Sequence, residues 1–243
     1  MRILILGGTF EARGLAERLA ARGHEVITSL AGRTSDPVLP DGATRIGGFG
    51  GIPGLVAYIT ENHINYLIDA THPYAGMISI NAQAAASRSE IPLLRLMRAP
   101  WVEPPGTRWI HMADLAGAAT ALPAGAHAFL TTGQHAIDIA LRRDDCTFLI
   151  RLIERPTVPV PDNATIMYDR PPYSVEGELA LFRRHHITHL VTKNSGGNQT
   201  SAKLEAARQL GIPVIMVARP GYSPAREVAT IEEALAVIQK ASP

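Results

Sequence analysis

Several short stretches carry residue types whose spacing could do chemistry. "LILGGTFEARGL" sets Gly7, Gly8 and Thr9 between an apolar run and a helix-like segment. Glycines at a strand-to-helix turn let the backbone approach a pyrophosphate, which then lies at the positive end of the helix. The match to G-x-G-x-x-G is partial, with Ala12 or Gly14 where the third glycine would stand. A tight turn holding no ligand would read the same way. The next apolar run ends in "SLAGRTSD", so Ser29, Arg33 and Thr34 stand where an acidic residue would bind the ribose of NAD. A guanidinium with hydroxyls suits a 2′-phosphate, through bidentate charge-assisted bonds. The expected cofactor is therefore NADP(H), with Asp36 as the residue that argues for NAD.

"IDATHPYAG" places Asp69, Thr71, His72 and Tyr74 at the end of a further strand-like run. Pro73 forces His72 into an extended conformation. Histidine and tyrosine are both competent proton donors, although the same residues could simply cap the helix expected near Gly76. "LVTKNSGGNQTSAKLEAARQLGIPV" (190–214) reads strand, polar loop, helix, strand. Lys193 precedes Gly196 and Gly197, the reverse of a Walker loop, so the loop could hold a nucleotide or another anion. "RIGGFGGIPGL" (45–55) carries five glycines and could meet a flat ligand or be a flexible loop. His185, His186 and His189 fall at a helix end and a strand start without a carboxylate at fixed spacing, so no metal site is expected. Neither G-x-S-x-G nor H-E-x-x-H occurs.

The elements that must position these residues alternate regularly. Strands are expected at 2–6, 25–30, 44–47, 66–70, 93–97 and 109–112, with helices at 11–22, 54–62, 77–89 and 114–122. The pattern restarts with strands at 128–132, 148–153, 165–168, 189–192 and 213–218, and helices at 136–142, 176–185 and 201–210. "TIEE" (230–233) is a capping box that opens a closing helix. Nearly continuous apolar strands alternating with helices imply parallel sheets covered on both faces. The reading is α/β, with two Rossmann-like parallel-sheet domains and a cleft between them. "LPAGA" breaks the periodicity, which puts residues 1–122 in an NADP(H)-binding domain and 123–243 in a substrate-binding one.

The 243 residues suffice for two domains of roughly 120 residues each. A formal net charge of +1 and 5% aromatic residues give no general pull toward nucleic acid or anionic membrane. The single cysteine, Cys146, excludes an internal disulfide and fits a reducing compartment. The short apolar start reads as a strand rather than a signal peptide, and no run is long enough to span a membrane, so a cytoplasmic location is expected.

In combination, "LILGGTFEARGLA", "SLAGRT", "RIGGFGGIPGL", "DATHPYAGMISINA", "LLRLMRAPW", "TTGQ" and "VTKNSGGNQTSAKLEAARQLGIPVIMVARP" resemble the precorrin-6A reductase family of cobalamin biosynthesis over nearly the whole chain. The resemblance implies NADPH-dependent reduction of one double bond in the precorrin-6A macrocycle, giving precorrin-6B. It implies that Gly7, Gly8 and Thr9 meet the pyrophosphate, that Ser29, Arg33 and Thr34 meet the 2′-phosphate, and that Thr71, His72, Tyr74 and Ala75 lie near the nicotinamide and macrocycle. His72 and Tyr74 are then the candidate acids, with solvent as the other proton source. A substrate bearing acetates and propionates also gives the cations at strand ends a purpose. Arg95, Arg98 and Arg219, with Arg151 and Arg155 as further candidates, would join Lys193, Asn194, Ser195, Gly196 and Gly197 in binding carboxylates. Transient contact with neighbouring pathway enzymes is expected too. One departure stands in "RPPYSVEGE" (170–178), where Pro171 occupies a position expected to be glycine. The competing readings are an NADP-dependent reductase of another small anion, a non-catalytic two-domain binding protein and a nucleotide-sugar glycosyltransferase.

Overall fold

The computed structural model describes residues 1–32, 39, 42–222 and 224–241. The chain divides into one unit of residues 1–99 and 220–243 and another of residues 100–219. The first unit begins with β1 (Arg2–Leu6), α1 (Phe10–Ala20), β2 (Glu25–Leu30), β3 (Ala43–Ile46) and α2 (Gly51–Glu61). It continues with β4 (Tyr66–Asp69), α3 (Gly76–Arg88) and β5 (Leu93–Leu96). The second unit holds β6 (Trp109–Met112), α4 (Leu115–Ala121), β7 (His127–Leu130), α5 (Ala136–Ala140), β8 (Thr147–Leu152), β9 (Ala164–Tyr168), α6 (Val175–Arg184), β10 (His189–Lys193), α7 (Ala202–Leu210) and β11 (Val214–Val217). The chain then returns to the first unit as β12 (Arg226–Val228) and α8 (Ile231–Ala241).

The described residues of each unit form one six-stranded sheet, in the orders β12-β5-β4-β1-β2-β3 and β6-β11-β10-β7-β8-β9. Among the described residues all ten strand pairings are parallel. Strand order reverses direction between β1 and β4 in the first sheet and between β7 and β10 in the second. Ligands bind at such switch points, beyond the carboxyl ends of the strands. Gly7–Thr9 and Thr71–Ala75 flank the first switch point, and Lys193–Gly197 borders the second.

Burial explains why the helices take these places. In α1, Ala12, Leu15, Ala16 and Leu19 recur at helical spacing and pack with Ala234, Leu235, Val237 and Ile238 of α8 on one face of the first sheet. Leu55 and Ile59 of α2 join Ala82, Ala85 and Ala86 of α3 on the other face. Each fully buried leucine or isoleucine stabilises this arrangement by about 1.5–3 kcal/mol. The expected capping box is present: Thr230 Oγ1 accepts from Glu233 N at 3.2 Å, and Glu233 Oε2 accepts from Thr230 N at 3.3 Å.

The expected boundary at 122/123 does not coincide with the structural division. β6 and α4 lie before that point in sequence, yet β6 pairs with β11 and belongs to the second sheet. The closing helix lies after it but covers the first sheet, behind β12, which pairs with β5 and had no counterpart among the expected strands. Alternation gives the order of elements through β11. The edge that a three- or four-residue strand joins depends on long-range pairing, which local periodicity does not encode.

Candidate functional sites at the carboxyl ends of two sheets

The first site grows from the turn after β1. Gly7 N donates to Ser29 O at 2.9 Å, drawing the turn against the end of β2. A Cβ on Gly7 would come within 2.9 Å of Thr28 Cγ2, whereas Gly8, at φ +107°, would meet nothing within 4 Å. The first glycine is thus required by packing, and the second opens the backbone toward solvent. Thr9 caps α1 by accepting from Ala12 N at 3.1 Å, and its hydroxyl donates to Ala70 O at 2.8 Å. One side chain therefore ties the glycine turn to the segment after β4.

That segment is held from below by Asp69, which is 1% exposed. Its Oδ1 accepts from Thr71 N at 3.2 Å and from Thr71 Oγ1 at 2.7 Å. Its Oδ2 accepts from Nε of Arg95, its neighbour across the strands, at 3.4 Å. Arg95 is itself 3% exposed, lies 3.8 Å from Glu227 of β12 and places its guanidinium 4.9 Å from the Tyr222 ring centroid. Tyr222 in turn donates to the Pro73 carbonyl. The loop bearing His72 and Tyr74 is thereby fastened at both sides of Pro73.

His72 is exposed and Tyr74 half-buried, with ring centroids 5.8 Å apart. Tyr74 N donates to His72 Nδ1 at 3.2 Å, so Nδ1 is an acceptor and the neutral ring carries its proton on Nε2. Ala75 N donates to His72 O at 2.8 Å, and Ala75 precedes α3 without a side-chain cap. Arg98 forms an ion pair with Glu11, in the first turn of α1, at 2.7 Å. Ser29 is buried at the end of β2 and accepts from Arg45 Nη1 at 2.9 Å. Arg33 and Thr34, the other two residues expected to meet a 2′-phosphate, lie outside the described residues.

The second site is the loop after β10. Asn194 N extends the ladder by donating to Val217 O at 3.1 Å, and Ser195 N turns back to Lys193 O at 2.8 Å. Gly196 and Gly197 follow with φ of +68° and +77°, a left-handed pair that a side chain would strain. Asn194 grips the Trp101 backbone twice, accepting from its N–H at 2.7 Å and donating to its carbonyl at 3.1 Å. Trp101 Nε1 donates to Gly197 O at 2.9 Å. Arg219 closes the arrangement through Nε to Asn194 O at 2.8 Å and Nη2 to Ser195 O at 3.1 Å. Lys193 is half-buried at the strand end.

The expected residues thus form two groups. Gly7, Gly8, Thr9, Ser29, Thr71, His72, Tyr74 and Ala75 gather at the first switch point, and Lys193 to Gly197 at the second. Arg95, Arg98 and Arg219, expected to face substrate carboxylates, have carboxylates or carbonyls of the chain among their partners. Arg151, another candidate, is buried against Glu178 at 2.7 Å, between the Phe129 and Tyr173 rings. Burial raises the Tyr173 hydroxyl above its ordinary pKa, against the opposing influence of Arg151. The departure at Pro171 leaves Ser174 as an effective cap, accepting from Gly177 N at 3.0 Å. Three organising residues escaped the sequence reading: Arg45, Trp101 and Tyr222. Each acts on a partner at least 16 positions away, a relation carrying no local signal.

Comparison with known proteins agrees with this layout. A curated relative from Rhodococcus erythropolis, named precorrin-6A reductase, is 51% identical over 228 residues, covering 93% of this chain and 92% of its own. One from Rhodobacter capsulatus with the same name is 47% identical over 235 residues, covering 95% and 93%. A solved structure described as CobK precorrin-6A reductase superposes with a TM-score of 0.94 at 43% identity, covering 98% of this chain and 96% of that one. The model of the family described as precorrin-6x reductase CbiJ/CobK matches residues 2–239. With its two parallel sheets, its paired switch-point motifs and a family match running almost end to end, the chain belongs to the precorrin-6x reductase CbiJ/CobK family.

Proposed function

We propose that this chain, an oxidoreductase by family, reduces one double bond of the precorrin-6A macrocycle with NADPH to give precorrin-6B in cobalamin biosynthesis. The observation that carries the cofactor assignment is the turn at Gly7–Gly8. A side chain at Gly7 would be blocked at 2.9 Å, Gly8 opens onto empty space, and an 11-residue helix begins just beyond. This suits a pyrophosphate, whose charge is favoured by the N–H groups and dipole of that helix. Ser29 would lie toward the adenosine ribose, and Thr71 and Ala75 toward the nicotinamide end.

When bound, the dinucleotide supplies a hydride; the chain's part is to orient, to exclude water and to route the accompanying proton. His72 and Tyr74 are the proposed proton donors because they share the loop fastened by Asp69 and Tyr222. As a proton donor His72 would act as the imidazolium, with Nδ1 protonated and the bond from Tyr74 N released, giving its Nε2 proton and returning to the neutral ring. Lys193, Ser195 and the N–H groups of Gly196 and Gly197 are the proposed contacts for a substrate carboxylate. Arg95, Arg98 and Arg219 become positioning residues, and Asn194 acts in the same way through Trp101. Glu11 and Asp69 already balance two of these cations, and Arg219 holds the loop's carbonyls.

The test is turnover of NADPH with precorrin-6A under anaerobic conditions, followed by loss of absorbance at the dihydronicotinamide band. Stoichiometric oxidation with formation of precorrin-6B supports the assignment. Tight NADPH binding without turnover would leave a binding protein instead.

A further inference from the structure

The arginines of the first unit divide by what holds them. Arg2, Arg18, Arg95 and Arg98 each pair with a carboxylate. Arg45 is held by neutral groups: Ser29 Oγ at 2.9 Å, Gly47 O at 2.8 Å and Gly48 O at 3.0 Å. Among the described residues, no carboxylate makes an ion pair with it. Its guanidinium lies 3.9 Å from the Phe49 ring centroid and 5.1 Å from that of Tyr58, and these rings pack edge to face at 5.3 Å. Fixed by three acceptors and two rings, the cation has lost its side-chain freedom without losing its charge.

Its place in the sheet is equally specific. Arg45 is the direct cross-strand neighbour of Ser29 in the β2–β3 register. In a doubly wound dinucleotide fold the group at the end of the second strand meets the adenosine ribose. We infer that Arg45, acting with the Ser29 hydroxyl, recognises the 2′-phosphate of NADP(H) and sets the preference over NAD(H). This rests on the nicotinamide-dinucleotide reading given above. A guanidinium has five N–H donors, and the bonds to described residues occupy three, leaving Nε–H and one Nη2–H for phosphate oxygens. Rigid stacking on Phe49 presents these donors at little further entropic cost.

Calorimetric titration with adenosine 2′,5′-bisphosphate and with 5′-AMP tests the inference without turnover. The wild-type protein should bind the bisphosphate about ten- to hundredfold more tightly, the range expected for a charge-assisted contact. Arg45→Met, which keeps an apolar stem against Phe49, should bring the two affinities within about threefold while leaving that for 5′-AMP nearly unchanged. Arg45→Lys should retain part of the preference, having charge without the fork. A purely structural Arg45 would give equal losses for both nucleotides in Arg45→Met with the wild-type ratio preserved, and that result overturns the inference. Equal binding of NADPH and NADH by the wild type overturns it while leaving the nicotinamide reading standing. Failure of the wild type to bind either coenzyme overturns both.

Discussion

Asp69 and Arg95 show how a side chain can serve chemistry without touching a substrate. Both are buried, and each is the other's charge partner beneath the His72–Tyr74 loop. Removing one member of such a pair leaves an uncompensated charge in the interior. Arg95→Met is therefore expected to lower the stability of the first unit by about 3–5 kcal/mol in urea denaturation, with much of the loss recovered in the Asp69→Asn/Arg95→Met double variant. A single-variant cost below about 1 kcal/mol would mean that the pair does not organise the loop. At Gly7, alanine would bring its Cβ against the buried Thr28 methyl. An overpacking cost of about 1–3 kcal/mol is expected in the same assay. His72→Asn and Tyr74→Phe separate the two acids: the variant that slows single-turnover NADPH oxidation tenfold or more identifies the donor, and wild-type rates in both would assign the proton to solvent. The position of Gly7, His72 and Tyr74 at strand ends was legible from type and spacing. Arg95 was legible as a cation at a strand end, but its partner Asp69 was not, because Asp69 is 26 positions away and meets it through register.

At the scale of elements, the loop after β10 is shaped by segments remote from it in sequence. Arg219 and Trp101 clamp the carbonyls of Asn194, Ser195 and Gly197. Arg219→Ala should therefore raise the KM for the tetrapyrrole severalfold while changing NADPH affinity little; an equal loss of both would separate Arg219 from this loop. Protonation gives the second sheet a different sensitivity. Burial, reinforced by the charges of His185 and His186, lowers the pKa of His127 on β7. Burial and then Arg108 lower that of His189 on β10. Because the unfolded chain binds these protons more readily, stability is fully present above the ordinary histidine pKa of about 6.5 and declines as pH falls through it toward the folded values. His127→Gln should flatten this acid limb in thermal unfolding between pH 7 and 5, and an unchanged limb would remove His127 as its source. The helices and strands were readable from periodicity and caps, as at Thr9 and Thr230. The clamps were not, because they are made by loops without periodic pattern.

For the whole chain, the two units are interrupted one by the other. Residues 1–99 lack β12 and α8, whose Leu235 and Ile238 are buried in the core of the first sheet. A chain ending at residue 219 should therefore lose cooperative unfolding of the first unit, whereas residues 100–219 contain every strand of the second sheet and should fold. Circular dichroism melts of the 1–219, 100–219 and 1–122 fragments check this; a folded 1–122 fragment would restore the boundary expected from sequence. The sequence by itself determined the α/β class, the succession of elements through β11, the glycine turn, the His72–Tyr74 loop and the family. Those features depend on residue type and short spacing, where hydrophobic periodicity and backbone preference act. Only the tertiary structure decided that β6 closes the second sheet and β12 the first, that Arg95, Arg98 and Arg219 face the chain's own acceptors, and that Arg45 stands beside Ser29. Those outcomes follow from strand register and from competition among distant partners for each buried charge, and both depend on three-dimensional neighbours rather than sequence neighbours.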